Sequence, residues 1–167
     1  MDGCEYEANT DDAAFHPGRC ARVLIGGKCA GMIGEVHPAV CENYQIGTRA
    51  YIAYLDETVL FENVAPERGY SPLPRFPAAT RDLALICDDA LPVAALEKAI
   101  RSAVGSTLEE LTLFDVYRGA QVADGKKSVA YSLTMRAADR TLTDEESDAA
   151  VKRALKALRT IGAELRS

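Results

Sequence analysis

Residues 125–146 read GKKSVAYSLTMRAADRTLTDEE, which is a strand pattern followed directly by a helix start. In the first half, every second residue from Val129 to Met135 is large and apolar, and small or polar residues stand between them. This period of two is typical of a strand with one buried face and predicts a strand over residues 128–136. In the second half, Thr143 and Glu146 have the spacing of a capping box, which predicts a helix that begins at Thr143.

The elements on both sides of this stretch predict an α+β fold. Strands are expected over residues 82–87 and 111–117, and a helix over residues 92–104 that ends at Gly105. Val151, Leu155, Leu158 and Leu165 form an apolar stripe after Thr143, and a short strand over residues 163–166 would close the sheet. The order βαββαβ predicts a ferredoxin-like antiparallel sheet with both helices on one face.

The N-terminal part predicts a smaller antiparallel module. Residues 1–14 are acidic and lack periodicity, so they are expected to form a loop. Two apolar runs within residues 21–36 flank Gly26-Gly27-Lys28 and predict a hairpin. A short helix from His37-Pro38 to about Tyr44 and a strand over residues 48–55 follow. The proline-rich stretch APERGYSPLPRFP, residues 65–77, predicts a stiff connector, which divides the chain into domains 1–73 and 74–167.

Composition and charge exclude several classes of protein. The chain has 167 residues, 48% of them apolar, and lacks an apolar run of about 18 residues, so we expect no membrane contact. The net charge of -6 argues against a general nucleic-acid coat protein. Five cysteines without a C-x-x-C pair suit free thiols in a reducing cytoplasm.

The predicted sheet has one face that no helix covers. Strand alternation places Asp115, Tyr117 and Ser128 together on that open face. An aromatic ring beside hydrogen-bonding groups can stack an unpaired RNA base and contact its edge. From the pattern alone, an ordinary solvated face with one tyrosine is the favoured interpretation. Lys152, Arg153, Lys156 and Arg159 form a basic stripe on the last helix, which is either a solvated helix face or a surface for phosphates, with Lys152, Lys156 and Arg159 as the possible phosphate contacts.

No catalytic or metal-binding residue is expected. His16 and His37 both precede a proline and have no acid or cysteine at ligand spacing, so structural roles are favoured. The acids at residues 144–148 lie in the first turns of the last helix, where they stabilise the helix dipole.

Several motifs together resemble one family. LPRFPAATRDLALICDD (73–89), LFDVYRG (113–119), residues 125–146 and the closing GAELR (162–166) are similar to the C-terminal anticodon-binding domain of the bacterial phenylalanyl-tRNA synthetase beta subunit. FHPGRCA (15–21) and GMIGEVHP (31–38) resemble the preceding module of that subunit, which is shaped like a class II synthetase core but is not catalytic. The beta subunit of the family is several times longer, so we expect this chain to be its C-terminal piece and Met1 not to be the natural start.

The resemblance implies a function in translation. In the family, an alpha subunit activates phenylalanine with ATP and magnesium, the beta subunit positions tRNA(Phe), and the two form an alpha-2-beta-2 heterotetramer. The matching anticodon-contacting residues are Asp115, Tyr117, Ser128 and Arg166; the aromatic residue stacks on the first anticodon base, a guanine, and the acid accepts from its edge. This chain is expected to be cytoplasmic, to bind no cofactor and no DNA, and to perform no catalysis alone. The alternative is a module that packs within the synthetase and has little RNA affinity of its own.

Overall fold

The computed structural model describes residues 4–64 and 73–166. The chain divides into two compact units, Met1–Tyr70 and Ser71–Ser167. The described part is α+β, with two four-stranded antiparallel sheets and four α-helices. Residues 65–72 of the predicted connector lie outside the described residues, and residues 73–78 form neither helix nor strand.

The first unit is an antiparallel sheet with two short helices. Its elements are β1 (Cys4–Ala8), β2 (Phe15–Ile25), β3 (Lys28–Val36), α1 (Pro38–Asn43), β4 (Tyr51–Leu55) and α2 (Glu57–Glu62), and its strand order is β1-β2-β3-β4. The predicted hairpin is confirmed: Gly26 and Gly27 adopt φ angles of 57° and 76°, which glycine tolerates without steric cost. The predicted helix after His37 and the strand that ends at Leu55 are also present.

The loop predicted over residues 1–14 is wrong where the structure describes a strand. β1 pairs antiparallel with β2, from Cys4 opposite Ile25 to Ala8 opposite Ala21. Most of β1 is exposed, and it carries Glu5 and Glu7, so backbone pairing rather than an apolar face holds it in place. An exposed strand of this kind has no buried side chains to impose an apolar alternation. Helix α2 was not predicted either.

An ion pair between a half-exposed arginine and a buried glutamate links β2 to β3. The side chain of Glu35 is 5% exposed, and its Oε2 atom accepts a hydrogen bond of 2.8 Å from Nη1 of Arg19. Nε of Arg49 lies 3.8 Å from the other carboxylate oxygen. The hydrogen bond from Arg19 lowers the pKa of Glu35 below its ordinary value, although burial acts in the opposite direction. Arg19 therefore keeps this carboxylate charged inside the first unit.

The second unit follows the predicted order of elements. These are β5 (Ala79–Asp88), α3 (Val93–Val104), a 3₁₀ turn (Gly105–Thr107), β6 (Leu108–Tyr117), β7 (Lys126–Met135), α4 (Asp144–Thr160) and β8 (Glu164–Leu165), with strand order β6-β7-β5-β8. Each of the three long strands begins two or three residues before its predicted start, because these first residues are paired through the backbone, which the apolar pattern does not record. The predicted capping box is present: Thr143 Oγ1 accepts from the Glu146 N–H, and Oε2 of Glu146 accepts from the Thr143 N–H.

One core occupies the space between this sheet and both of its helices. It contains Leu83 and Leu85 of β5, Tyr131 and Leu133 of β7, and residues of α3 and α4 such as Leu96. The hydroxyl of Tyr131 lies 3.4 Å from the carbonyl oxygen of Val93, and burial raises the pKa of that phenol. Because both helices contribute to this one core, they pack on the same face of the sheet, and neither α3 nor α4 covers the opposite face.

The predicted apolar stripe of α4 is partly wrong. The side of the helix that is buried consists of Ser147, Ala150, Ala154 and Leu158, while Val151 and Leu155 lie at its margin. Leu165 belongs to β8 and is 51% exposed. Small alanines let the helix approach the sheet closely, and a search for large apolar residues overlooks them. Among the described residues, no helix is both long and apolar enough to cross a membrane.

Candidate nucleic-acid interface

A bulge in β6 decides which of its side chains lie on the face away from the helices. Leu113 pairs with Tyr131, whose side chain is in the core, so Leu113 lies on the helix side of the sheet. The register then shifts at Phe114, which has no partner in β7 and is 58% exposed. Asp115 pairs with Ala130 on the opposite face. The extra residue therefore reverses the alternation and turns Asp115 away from the helices.

This register places three of the predicted residues, Asp115, Tyr117 and Ser128, on the face away from the helices. Tyr117 pairs with Ser128, and this is the next pair after Asp115 on that face. Side chains two residues apart on a strand are about 7 Å apart, so the ring of Tyr117 and the carboxylate of Asp115 can contact one base together. Asp115 is exposed, Tyr117 is partly buried, and Ser128 is 3% exposed. Ser128 is thus the floor of the site, and the other two form its accessible surface.

Arg166 lies at the opposite edge of the sheet, directly after β8, and its side chain extends towards the site. Its backbone N–H donates to the carbonyl oxygen of Ala84 over 2.9 Å, which continues the pairing of β8 with β5. Its guanidinium reaches back across the sheet, where Nη1 lies 3.5 Å from Oγ of Ser128. Nη2 donates a shorter hydrogen bond of 3.0 Å to Oε1 of Gln121. The structure therefore brings Tyr117, Ser128 and Arg166 together and adds Gln121, which sequence reasoning missed.

The loop of residues 118–125 between β6 and β7, here called the hairpin loop, forms one wall of the site. It begins with an ion pair of 2.6 Å between Arg118 and Asp89, and it ends where the carbonyl oxygen of Gly125 accepts from the Asp89 N–H over 2.8 Å. In its middle, Val122 is buried and its N–H donates to Gly119. The loop is therefore anchored to Asp89 at both ends and carries one internal hydrogen bond in its centre.

Gly119 brings the hairpin loop against the ring of Tyr117. A Cβ atom at position 119 would lie 2.5 Å from the Tyr117 hydroxyl and 2.8 Å from Cζ, closer than side chains can approach. Glycine is therefore required at this position if the ring keeps its place. The loop covers the hydroxyl end of the ring, which accounts for the partial burial of Tyr117 on a face predicted to be open.

The two lysines before Ser128 bind protein groups. The ammonium of Lys127 is buried and donates to the carbonyl oxygens of Asp89 and Leu91, over 2.9 and 2.6 Å. Lys126 lies 2.7 Å from the carboxylate of Asp88, and this hydrogen bond raises the pKa of Lys126. Lys127 therefore binds the loop that leads from β5 to α3, and Lys126 pairs with the last residue of β5. Their contacts do not point to a role in RNA contact.

The basic stripe of α4 lies on a different side of the second unit. Lys152, Lys156 and Arg159 are exposed on the helix, which covers the face of the sheet opposite Tyr117. Nε of Arg153 donates to the carbonyl oxygen of Ala103 over 3.2 Å, so this side chain satisfies the C-terminal end of α3. The structure does not bring the stripe together with the four predicted anticodon-contacting residues.

Comparison with known proteins identifies the family. Residues 74–166 match the family described as "Ferredoxin-fold anticodon binding domain". Residues 1–56 match the family described as "Phenylalanyl tRNA synthetase beta chain CLM domain". The chain belongs to the phenylalanyl-tRNA synthetase beta-chain family. The hairpin loop and all of the candidate RNA-contacting residues lie within the anticodon-binding match.

Similar curated proteins are phenylalanine–tRNA ligase beta subunits. The protein from Symbiobacterium thermophilum is 51% identical over 154 residues, which is 92% of this chain and 17% of that protein. The protein from Clostridium tetani is 45% identical over 162 residues, covering 96% of this chain and 20% of that protein. The Geobacillus kaustophilus protein is 42% identical over 155 residues, with 92% and 19% covered. The chain thus spans about a fifth of the length of these synthetase beta subunits.

Proposed function

We propose that this chain binds the anticodon stem-loop of tRNA(Phe) as part of phenylalanyl-tRNA synthetase, and so supports the ATP-dependent phenylalanylation of tRNA. The main support for the proposal is one cluster of side chains on the sheet face that α3 and α4 leave uncovered. The cluster consists of Asp115, Tyr117, Ser128 and Arg166. Aromatic rings on sheets stack unpaired bases, and adjacent acceptors and donors contact base edges. The ring, the carboxylate and the guanidinium supply these three kinds of contact.

The family supports a wider proposal for the assembly. Residues 74–167 would form the ferredoxin-like anticodon-binding domain, and residues 1–73 would be a piece of the non-catalytic, class II-like module. ATP and magnesium would be used by the alpha subunit in a cytoplasmic alpha-2-beta-2 enzyme. Within residues 4–64 and 73–166, no three His, Cys, Asp or Glu side chains converge as a metal-binding group. From the family resemblance, we assign phenylalanine activation to the alpha subunit and tRNA positioning to this chain.

A filter-binding titration with tRNA(Phe) at several salt concentrations tests the proposal. The wild-type chain should bind, and Tyr117→Ala should weaken binding, whereas Tyr44→Ala should not. Tyr44 is a suitable control because it is an exposed tyrosine in the first unit. Equal binding by all three proteins, or a wild-type chain that does not bind tRNA at low salt, would contradict the proposal.

The second candidate is a packing module of the synthetase, and β4 favours it. Tyr51, Ile52, Tyr54 and Leu55 of this strand are all about half exposed, and among the described residues only β3 pairs with it. Exposed apolar side chains on a sheet edge are typical of a surface that another polypeptide covers. Copurification with the rest of the synthetase, together with loss of that association in a Tyr51→Lys, Tyr54→Lys variant, would support this candidate. The two roles are compatible, since they use different units.

A further inference from the structure

We propose that Gln121 is a positioning residue of the anticodon site: it holds the guanidinium of Arg166 above Ser128 and beside Tyr117, where the guanidinium can donate to RNA. This inference rests on the proposed function and adds a residue to it. Gln121 would act through Arg166 rather than by its own contact with the RNA.

The hydrogen bonds of Arg166 support the assignment. The distance of 3.5 Å from Nη1 to Ser128 is at the outer limit of a hydrogen bond, whereas the 3.0 Å bond from Nη2 to Gln121 has an ordinary length. The hydrogen bond to Gln121 is therefore the stronger of these two contacts of Arg166. A guanidinium has five N–H donors in a fixed plane, so fixing one edge of that plane also fixes the direction of its other donors.

The position of Arg166 in the sheet gives its side chain a long distance to span. Arg166 follows β8, a strand of two residues, and lies across Ala84 and Ala130 from Asp115. Neighbouring strands are about 4.8 Å apart, so its backbone is about 14 Å from that of Asp115. Only an extended side chain bridges much of this distance. An arginine on a sheet edge has many rotamers, and the hydrogen bond to Gln121 favours the extended ones.

The hairpin loop places the backbone of Gln121 next to the site, where its exposed side chain meets Arg166. Gln121 lies between Gly119, which contacts the Tyr117 ring, and Val122, which is buried. The ion pair of Arg118 with Asp89 fixes the start of the loop. The same loop thus touches both the ring and, through Gln121, the guanidinium. A neutral amide also leaves the positive charge of Arg166 undiminished, which a carboxylate at this position would not do.

Two variants of the full chain separate the hydrogen bond from the bulk of the side chain. Gln121→Met keeps a similar length and removes the acceptor, and Gln121→Glu keeps an acceptor oxygen. In nitrogen-15 NMR spectra of the free chain, the guanidinium signal of Arg166 should shift and broaden in Gln121→Met and stay ordered in Gln121→Glu. The Arg166→Ala variant assigns the signal. An Arg166 signal that is identical in wild type and Gln121→Met would overturn the proposal.

Binding of the anticodon stem-loop RNA gives the second readout. Gln121→Met should weaken binding about two- to ten-fold, in keeping with the loss of one hydrogen bond. In an Arg166→Ala background, the same substitution should have no further effect. An equal loss in both backgrounds would show that Gln121 does not act through Arg166 and would overturn the proposal. If the wild-type chain did not bind the stem-loop, the proposed function would fail, while the Arg166 signal would still report whether Gln121 positions the guanidinium.

Discussion

At the scale of single residues, the ring of Tyr117 makes the clearest prediction. Tyr117→Ala should weaken binding of the anticodon stem-loop by about 1–3 kcal/mol, the usual contribution of one base–aromatic stack. Tyr117→Phe should bind nearly as well as wild type, because stacking needs the ring and not the hydroxyl. The ring lies on the face away from the core, so Tyr117→Ala should lower the free energy of unfolding by less than about 1 kcal/mol. RNA titration and thermal unfolding of the three proteins measure both quantities. A large loss of stability would show that the ring mainly supports the fold.

Asp115 should affect how well the site discriminates between bases at the first anticodon position, more than it affects overall affinity. Asp115→Asn keeps the shape but replaces one acceptor oxygen with a donor, which disfavours a guanine edge that presents two donors. Binding or aminoacylation should therefore fall more for tRNA with guanine as the first anticodon base than for a variant with another base there. The measurement is kcat/KM of the intact enzyme with both tRNAs. Equal losses on the two tRNAs would rule out base reading by Asp115.

Those site residues could be predicted whose positions depend only on neighbouring residues in the sequence. Alternation around LFDVY correctly placed Asp115 and Tyr117 on one face, since both follow the bulge at Phe114. The bulge itself has no clear sequence signal, and alternation counted from Leu111 would have given the wrong face. Gln121 was not predicted because an exposed glutamine in a loop has no pattern, and its role depends on Arg166, 45 residues away.

At the scale of elements, the ion pair between β2 and β3 predicts a response to acid. The pKa of Glu35 is lowered from 4.5 by Arg19, so the folded chain binds this proton less readily than the unfolded chain. The stabilisation is therefore fully present above pH 4.5 and is lost as the pH falls through the lower pKa of the folded state. Glu35→Gln should unfold at a lower temperature than wild type at pH 7, and the difference should shrink towards pH 3. Glu42→Gln, which changes an exposed carboxyl in α1, is the control. A difference that stays constant down to pH 3 would contradict the assignment.

The basic stripe of α4 gives a second prediction at this scale. If Lys152, Lys156 and Arg159 contact phosphates, replacing all three with Ala should flatten the dependence of log affinity on log salt by up to about three units. Because the stripe lies on the side of the second unit away from Tyr117, any such contact would be with RNA outside the anticodon loop. The measurement is tRNA binding between low and physiological salt. An unchanged slope would mean that the stripe is a solvated helix face.

Elements were predictable from sequence when one side of them is buried. The apolar alternation of β7 corresponds to side chains that are buried in the core. The capping box of α4 corresponds to hydrogen bonds that satisfy backbone N–H groups at the start of the helix. β1 was missed because its glutamates face solvent and only its backbone is paired. In α4, Ala150 and Ala154 form much of the contact with the sheet, although alanine is too small to mark a helix face in an apolar pattern.

At the scale of the whole molecule, the two units differ in charge. Residues 1–74 contain 11 acids and 5 bases, whereas residues 75–167 contain 14 of each. A neutral second unit attracts RNA only weakly at long range, so affinity there depends on stacking and directed hydrogen bonds more than on net charge. The site around Tyr117 and Arg166 is suited to such short-range recognition. Strong tRNA binding would need contacts in addition to these, and this chain spans only about a fifth of the length of the synthetase beta subunits that it matches.

The second unit should fold without the first. Its core extends from Leu83 to Ala163 and contains residues of both helices and the three long strands, and among the described residues all of its members belong to the second unit. Arg81 adds a contact within the unit, because it binds Asp144 at 2.7 Å and Asp148 at 3.2 Å and so ties β5 to the start of α4. A protein of residues 74–167 should therefore show a cooperative thermal transition and retain its helical circular dichroism. Residues 1–73 expressed alone are the comparison, and the exposed apolar side chains of β4 should make them prone to association. A gradual, non-cooperative melt of residues 74–167, or aggregation relieved only by restoring the first unit, would show that the two units depend on each other for folding.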